Sequence, residues 1–105
     1  MEGDIINPKF IKEKSNKDFL KVIANKASFI SQDEMYLEGN VRYTSNKFIL
    51  ESDKVNFDQL NFNASSEEKT LFISDNISIV SEGFKVEDKG NIISFKGKSK
   101  LKIKW

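Results

Sequence analysis

Met35-Tyr36-Leu37-Glu38-Gly39-Asn40-Val41-Arg42-Tyr43-Thr44-Ser45-Asn46-Lys47-Phe48-Ile49-Leu50-Glu51-Ser52-Asp53-Lys54-Val55-Asn56-Phe57 is the stretch that decides the fold. Leu37, Gly39, Val41 and Tyr43 take every second position, with Glu38, Asn40 and Arg42 between them. That is the period of a strand with one dry face and one wet face. A polar turn is predicted at Thr44–Lys47, followed by a second run in which Phe48 and Leu50 alternate. Similar phrases precede and follow, so the chain reads as variations on one β-unit.

Outward from that stretch, the strands begin at Phe19. Leu20, Val22 and Ala24 fall on one face, and Ala27 and Phe29 continue it. Ser31–Glu34 reads as a turn. Asp58–Ser66 reads as a polar connection with Leu60 and Phe62 embedded, a short strand and a loop. From Thr70 to Ser81, Leu71, Ile73, Ile77 and Ile79 alternate around Asp75, which places that acid on the apolar face. Turns are predicted at Glu82-Gly83 and Asp88–Asn91, a short strand at Phe84 and Val86, and a last strand from Ile93 and Phe95 through Leu101 and Ile103 to Trp105. Residues 1–18 form an extended N-terminal segment, because the residue before Pro8 is pushed out of the helical region; Phe10 and Ile11 are expected to pack on the domain edge. No stretch reads as a helix. Many short strands with turn residues between them predict an all-β sandwich, barrel or roll.

The totals narrow the function classes. A chain of 105 residues is one domain. Its 17 basic and 16 acidic residues leave a net charge of +1, which offers nothing to a nucleic-acid phosphate backbone. Without cysteine there is neither disulfide nor thiol chemistry. Without histidine the commonest general base and metal ligand are missing, and a zinc site would have to be all carboxylate. No segment approaches the roughly 20 apolar residues that span a bilayer, and Met1-Glu2-Gly3-Asp4 does not read as a signal peptide.

Two phrases recur. One is Ala24-Asn25-Lys26-Ala27-Ser28-Phe29, then Ser52-Asp53-Lys54-Val55-Asn56-Phe57, then, more weakly, Glu87-Asp88-Lys89-Gly90-Asn91-Ile92. The other is Leu37-Glu38-Gly39-Asn40-Val41, then Ile73-Ser74-Asp75-Asn76-Ile77, then Phe95-Lys96-Gly97-Lys98-Ser99. Glycine within a strand marks a bulge or bend. Bends at matching places in successive strands would curve the sheet and leave a trough lined by the alternating apolar residues.

On these phrases, with the lead-in Asn7-Pro8-Lys9-Phe10 and the Ile23-Ala24-Asn25-Lys26-Ala27 step, residues from about 7 to 103 resemble the periplasmic domain of the LptC family of lipopolysaccharide export proteins, within the OstA-like group that includes LptA. The Pro-Lys-Phe lead-in favours LptC over LptA. Two departures stand: the family's N-terminal membrane helix is not in this sequence, and Ser99 replaces an apolar residue after Gly97-Lys98. The resemblance implies an OstA-like β-jellyroll over residues 19–105, with V-shaped antiparallel sheets and an apolar interior trough. It implies a periplasmic domain, normally anchored to the inner membrane by a helix. It also implies a lipopolysaccharide-transport component that receives lipid A acyl chains and passes them to a neighbouring jellyroll. The partners implied are lipopolysaccharide, the inner-membrane transporter subunits LptB, LptF and LptG, and an LptA-like jellyroll, with edge-to-edge self-association of this chain as a further mode. No cofactor or metal is implied, and no enzyme activity.

The lipid-binding candidates are Leu20, Val22, Phe29, Leu37, Val41, Tyr43, Phe48, Leu50, Phe57, Leu71, Ile73, Ile77, Ile79, Phe84, Ile93, Phe95, Leu101 and Ile103, within an inward set that also takes in Ala27, Val55 and Val86. Taken alone, this alternation favours an ordinary sandwich core; the resemblance reverses that toward the trough, and both hold if one side packs while the other meets lipid. Lys98, Lys100, Lys102 and Lys104, with Lys96, share one face of the last strand and mark the candidate partner edge. The bland account of them is a solvated face whose lysines discourage unwanted pairing. The acidic pairs Asp33-Glu34, Glu67-Glu68 and Glu87-Asp88 sit beside turns and do not suit two-carboxylate catalysis. Ser28, Ser52, Ser74 and Ser81 have no partner base in the sequence, and no phosphate-binding loop is present. The alternatives are an LptA-like bridge protein and a β-edge interaction scaffold that carries no lipid.

Overall fold

The computed structural model describes residues 4–13 and 18–103. Its strands are β1 (Ile5–Ile6), β2 (Lys9–Glu13), β3 (Phe19–Ile23), β4 (Lys26–Phe29), β5 (Glu34–Ser45), β6 (Ile49–Asp58), β7 (Asn63–Ser66), β8 (Thr70–Ser74), β9 (Ile77–Glu87) and β10 (Ile92–Ile103). All pairings are antiparallel, in one ten-stranded sheet that folds back on itself. The protein is thus all-β, a jellyroll, as the alternation and turn spacing predict.

The ladders show how the sheet folds. One half of β5 pairs with β4 and the other with β3; β6 and β9 each pair with β7 along one half and β8 along the other. Every pass therefore breaks on a common kink line, which divides the sheet into two leaves. The first leaf holds β1, β4, the start of β5, the end of β6, β7, the end of β9 and the start of β10. The second holds β2, β3 and the complementary halves with β8. Rings meet between the leaves: Phe10 of the second and Phe57 of the first have centroids 5.1 Å apart.

The residues on the kink line account for the bend. Gly39 (φ +85°) and Asn40 (φ +47°) together oppose Asp53, between the pairs Glu38↔Lys54 and Val41↔Ser52. Gly97 (φ +68°) and Lys98 oppose Glu82 in the same way, between Lys96↔Gly83 and Ser99↔Ser81. These are β-bulges with glycine in the left-handed region, the role that the recurring Gly-x step predicts. Between β3 and β4 the ladder is carried across by the N–H of Asn25 donating to the Gly39 carbonyl (2.9 Å), and the N–H of Asn7 donates to the Asn25 carbonyl (2.8 Å). Pro8 sits at the break between β1 and β2, where its missing donor matters least.

Three sequence expectations change here. Ile73-Ser74-Asp75-Asn76-Ile77 does not repeat the glycine bulge: Asp75-Asn76 is a two-residue hairpin turn joining Ser74 to its ladder partner Ile77, with Asp75 at φ +35°. Asp75 is therefore an exposed turn residue, off the apolar face. Glu82-Gly83 is no turn but lies within β9, where the inward face passes from Ser81 to Phe84. The connection after Asp58 does contain a strand, β7.

The core gathers the inner faces of both leaves. Leu20, Val22, Ala27, Met35, Leu37, Val41, Tyr43, Leu50, Val55, Phe57, Phe84 and Val86 are all within 3% of full burial. Each large side chain here contributes about 1.5–3 kcal/mol. Four hydroxyls, Ser52, Ser66, Thr70 and Ser81, are buried along the kink line. Ser66 donates to the Lys54 carbonyl (2.6 Å), Ser52 to that of Lys69 (3.0 Å), Thr70 to that of Glu68 (2.9 Å) and Ser81 to that of Gly83 (2.7 Å). Along this line each side-chain hydroxyl bonds to a main-chain carbonyl, which makes the polar row tolerable in a dry interior.

Candidate functional site: the apolar interior and its open end

An aromatic path runs through the interior. Tyr43 stacks on Phe48 (6.0 Å between centroids), Phe48 on Phe72 (5.6 Å), and Phe72 meets Phe95 of the opposite leaf edge-on (5.4 Å). On one side of the Phe72–Phe95 contact the walls are packed shut over β3 to β6. On the other side the inner face continues without cover from the described residues: Ile77 is 38% exposed and Leu101 is 60% exposed, with Ile79 half-buried between them and Ile93 half-buried opposite. The ladder pairs Leu101 with Ile79, so Ile77, Ile79 and Leu101 form one apolar wall on β9 and β10; Ile103 pairs with Ile77 along the main chain, and its side chain lies outside what is described.

The structure sorts the predicted lipid-binding residues into three groups. Leu20, Val22, Leu37, Val41, Tyr43, Phe48, Leu50, Phe57 and Phe84 are buried in the sealed part. Phe29, Ile93 and Phe95 are partly buried and pack against it, while Ile77, Ile79 and Leu101 line the uncovered wall. Leu71 and Ile73 are the correction: they point outward. Leu71 pairs with Glu51 and Val80, and Ile73 with Ile49 and Ser78, while Phe72 between them pairs with the inward Leu50 and Ile79. Thr70-Leu71-Phe72-Ile73 is apolar or β-branched at every position, so period 2 cannot assign its faces; only the contacts of the Phe72 ring with Phe48 and Phe95 mark it as the inward residue.

Leu71 and Val80 instead line a groove of about 860 Å³ on the outer side of the kink line, with Ile23 and the Arg42–Glu51 ion pair (2.6 Å). This concavity has no sequence signal, because its lining mixes outward residues such as Ile23, Arg42, Leu71 and Val80 with the buried Val41, Ser52 and Thr70 from separate strands.

β10 pairs only with β9, so its other edge is open among the described residues. Lys100 and Lys102 lie on the outer face, opposite Val80 and Ser78. Lys98 sits in the bulge with its N–H donating to Glu82 Oε1 (3.1 Å), and Lys96 is paired with Glu67. Lys104 and Trp105 lie outside the described residues.

Burial raises the Tyr43 phenol well above its ordinary range, and its hydroxyl stays a donor, 2.7 Å from the Phe62 carbonyl oxygen. No group of three or more potential metal ligands converges among the described residues, and no helix there is long and apolar enough to cross a membrane. What the arrangement can do chemically is offer hydrocarbon a dry surface, next to a strand edge with unpaired main-chain groups.

No curated protein matches the chain at a significant level. A family model described as lipopolysaccharide-assembly, LptC-related, matches residues 2–103. With that match spanning nearly its whole length, and with the jellyroll and its apolar interior in place, this chain belongs to the LptC-related family of lipopolysaccharide assembly.

Proposed function

We propose that this domain, acting in lipopolysaccharide transport as its family does, carries the lipid's acyl chains on the uncovered wall of Phe72, Ile77, Ile79, Phe95 and Leu101. The observation that carries the proposal is the contrast along one inner face: sealed from β3 to β6, yet Leu101 is 60% exposed at the far end of the same surface. Burying methylenes against such a wall is worth about 0.8 kcal/mol each, so hydrocarbon needs no polar contact to be held. The open edge of β10 lies beside the wall, placed for main-chain pairing with an LptA-like jellyroll that continues the surface. On this reading the lipid arrives from the inner-membrane LptB, LptF and LptG subunits, and the domain works in the periplasm.

The test is a photoreactive residue at Leu101, irradiated with purified lipopolysaccharide. An adduct at Leu101, with none when the same probe replaces the outward Val80, supports the proposal. Equal labelling at both sites, or none at Leu101, refutes it. The sealed half favours a second reading, a scaffold that pairs by its edge and carries no lipid; it predicts partner binding without an adduct at Leu101.

A further inference from the structure

Two short turns meet the second leaf along the side of the interior: Asp88–Gly90, where Gly90 lies against Leu20 and Tyr43, and the turn between β6 and β7. Between β6 and β7 the chain leaves the first leaf at Asp58 and crosses toward the second. The Tyr43 hydroxyl donates to the Phe62 carbonyl (2.7 Å). The Lys12 ammonium lies 3.5 Å from the Leu60 carbonyl oxygen and 5.8 Å from the centre of the Phe62 ring. The Phe62 ring stands edge-on to Phe57, 5.1 Å between centroids, and fills the space between the walls.

The turn is otherwise held by its own leaf. The N–H of Gln59 donates to the Asp33 carbonyl (3.0 Å), and the Asp58 carboxylate accepts from the N–H of Leu60 (3.0 Å) and of Asn61 (3.2 Å). It is thus a small bonded unit, hinged on the first leaf and fastened to the second through Tyr43 and Lys12. Phe62 has φ +54°, a region that bulky side chains rarely adopt and that recurs at switch segments. Beside it, Leu60 is left 61% exposed.

We propose that the Asp58–Phe62 turn is a strap: releasing Phe62 from Tyr43 opens the interior sideways and lets a hydrocarbon tail take the place of the Phe62 ring against Phe57, whose ladder partner is Met35. The proposal rests on the acyl-carrying reading above and adds a route of entry, from the side as well as along the wall.

Met1 and Met35 are the two methionines, so a diazirine methionine places a probe behind the strap at Met35, which pairs with Phe57 in the ladder. A second chain carries the probe on the open wall, through Leu101→Met with Met35→Leu. The strap is clamped by a short bismaleimide across Lys12→Cys and Leu60→Cys, in a protein with no native cysteine. With purified lipopolysaccharide, the Met35 adduct is expected in the unclamped protein and to fall at least fivefold on clamping, while the Leu101 adduct is unchanged. Tyr43→Phe, which removes only the hydroxyl, should speed Met35 labelling by about five- to a hundredfold, since the closed strap then holds the Phe62 carbonyl without its donor. Equal labelling of Met35 clamped and free, with Leu101 labelled, overturns the strap and leaves the acyl-carrying reading standing. Labelling at neither position overturns both.

Discussion

Replacing Phe72 by alanine removes the ring that joins the two leaves at the edge of the sealed core, whereas replacing its neighbour Leu71 removes a side chain from the outer face. Full truncation of a buried phenylalanine costs about 3–5 kcal/mol. Phe72 is only partly buried, which halves the transfer and cavity terms, but it loses two aromatic contacts, to Phe48 at 5.6 Å and Phe95 at 5.4 Å. Such contacts are worth about 0.5–1.5 kcal/mol each beyond area burial. The expected cost is about 2.5–5.5 kcal/mol, a fall in Tm of at least about 10 °C for a domain of this size. Leu71→Ala should cost about 1 kcal/mol or less, since its contacts are with Val80 and Glu51 at the surface. Urea titrations of the two variants read the difference directly, with equal m-values confirming that the unfolding transition is unchanged. If Leu71→Ala proves as costly as Phe72→Ala, β8 is in the wrong register, and the inner wall assigned to Phe72, Ile77 and Ile79 falls with it.

Tyr43→Phe should destabilise by about 1–3 kcal/mol by stranding the buried Phe62 carbonyl, read as a lower urea midpoint; an unchanged midpoint would mean that water reaches that carbonyl. Gly83→Ala should cost at least about 1–3 kcal/mol, because the added methyl collides with the Ser66 main-chain oxygen and presses on Lys96 Cβ at 3.3 Å; a neutral thermal melt counts against the close approach of β7 to β9. At Asp58, slight burial pushes the carboxyl up, but hydrogen bonds from the Asn61 side chain and the N–H groups of Asn61 and Leu60 outweigh it and hold the pKa below the ordinary 3.8. A depressed folded-state pKa stabilises at pH values above the unfolded value and loses that stabilisation as pH falls through the folded one. The urea-midpoint gap between the native chain and Asp58→Ala should therefore be full at pH 6 and narrow below about pH 4; a gap independent of pH removes the carboxylate from the turn's support.

The parts of this fold legible in the sequence are those where one face is dry and the other wet. Leu37, Val41 and Tyr43 alternate with Glu38, Asn40 and Arg42, and all six face as period 2 requires. Gly39 and Gly97 are bulges because only glycine takes the positive φ cheaply, so a glycine inside an alternating run carries its own explanation. The reading failed where that contrast disappears. In β8 both faces are apolar, one toward the interior and one toward the outer groove, so Leu71 and Ile73 were exchanged for Phe72. Across Asp75 the apolar residues stay on odd numbers while the face they occupy changes, because partners across a two-residue turn differ in parity: Ser74 pairs with Ile77, so Ile73 points outward and Ile77 inward. Phe62, which closes the interior, stands in a polar stretch with no period; its burial comes from Phe57 and Tyr43, distant in pattern though near in space.

The division between sealed and open interior follows from what a chain of this length must bury. A domain of about 100 residues is only marginally stable, and an apolar face left uncovered along its whole length would forfeit the burial that holds it together. Here β3 to β6 close completely, with Leu20, Val22, Tyr43 and Phe57 out of water, while β9 and β10 leave Ile77 and Leu101 in it. The kink line lets one sheet do both, because β5 and β10 cross it at glycine bulges, β6 and β9 change partners there, and the two leaves need not stay parallel. Phe72 and Phe95 stand at the boundary, where the packed side ends and the uncovered wall begins. Widening the interior at that contact uncovers only the rings that meet there; widening it at the strap uncovers Phe57 and Met35, whose burial the fold depends on. Hydrocarbon entering by the wall is therefore met by surface that already faces water, and hydrocarbon entering by the strap must replace each apolar contact it displaces.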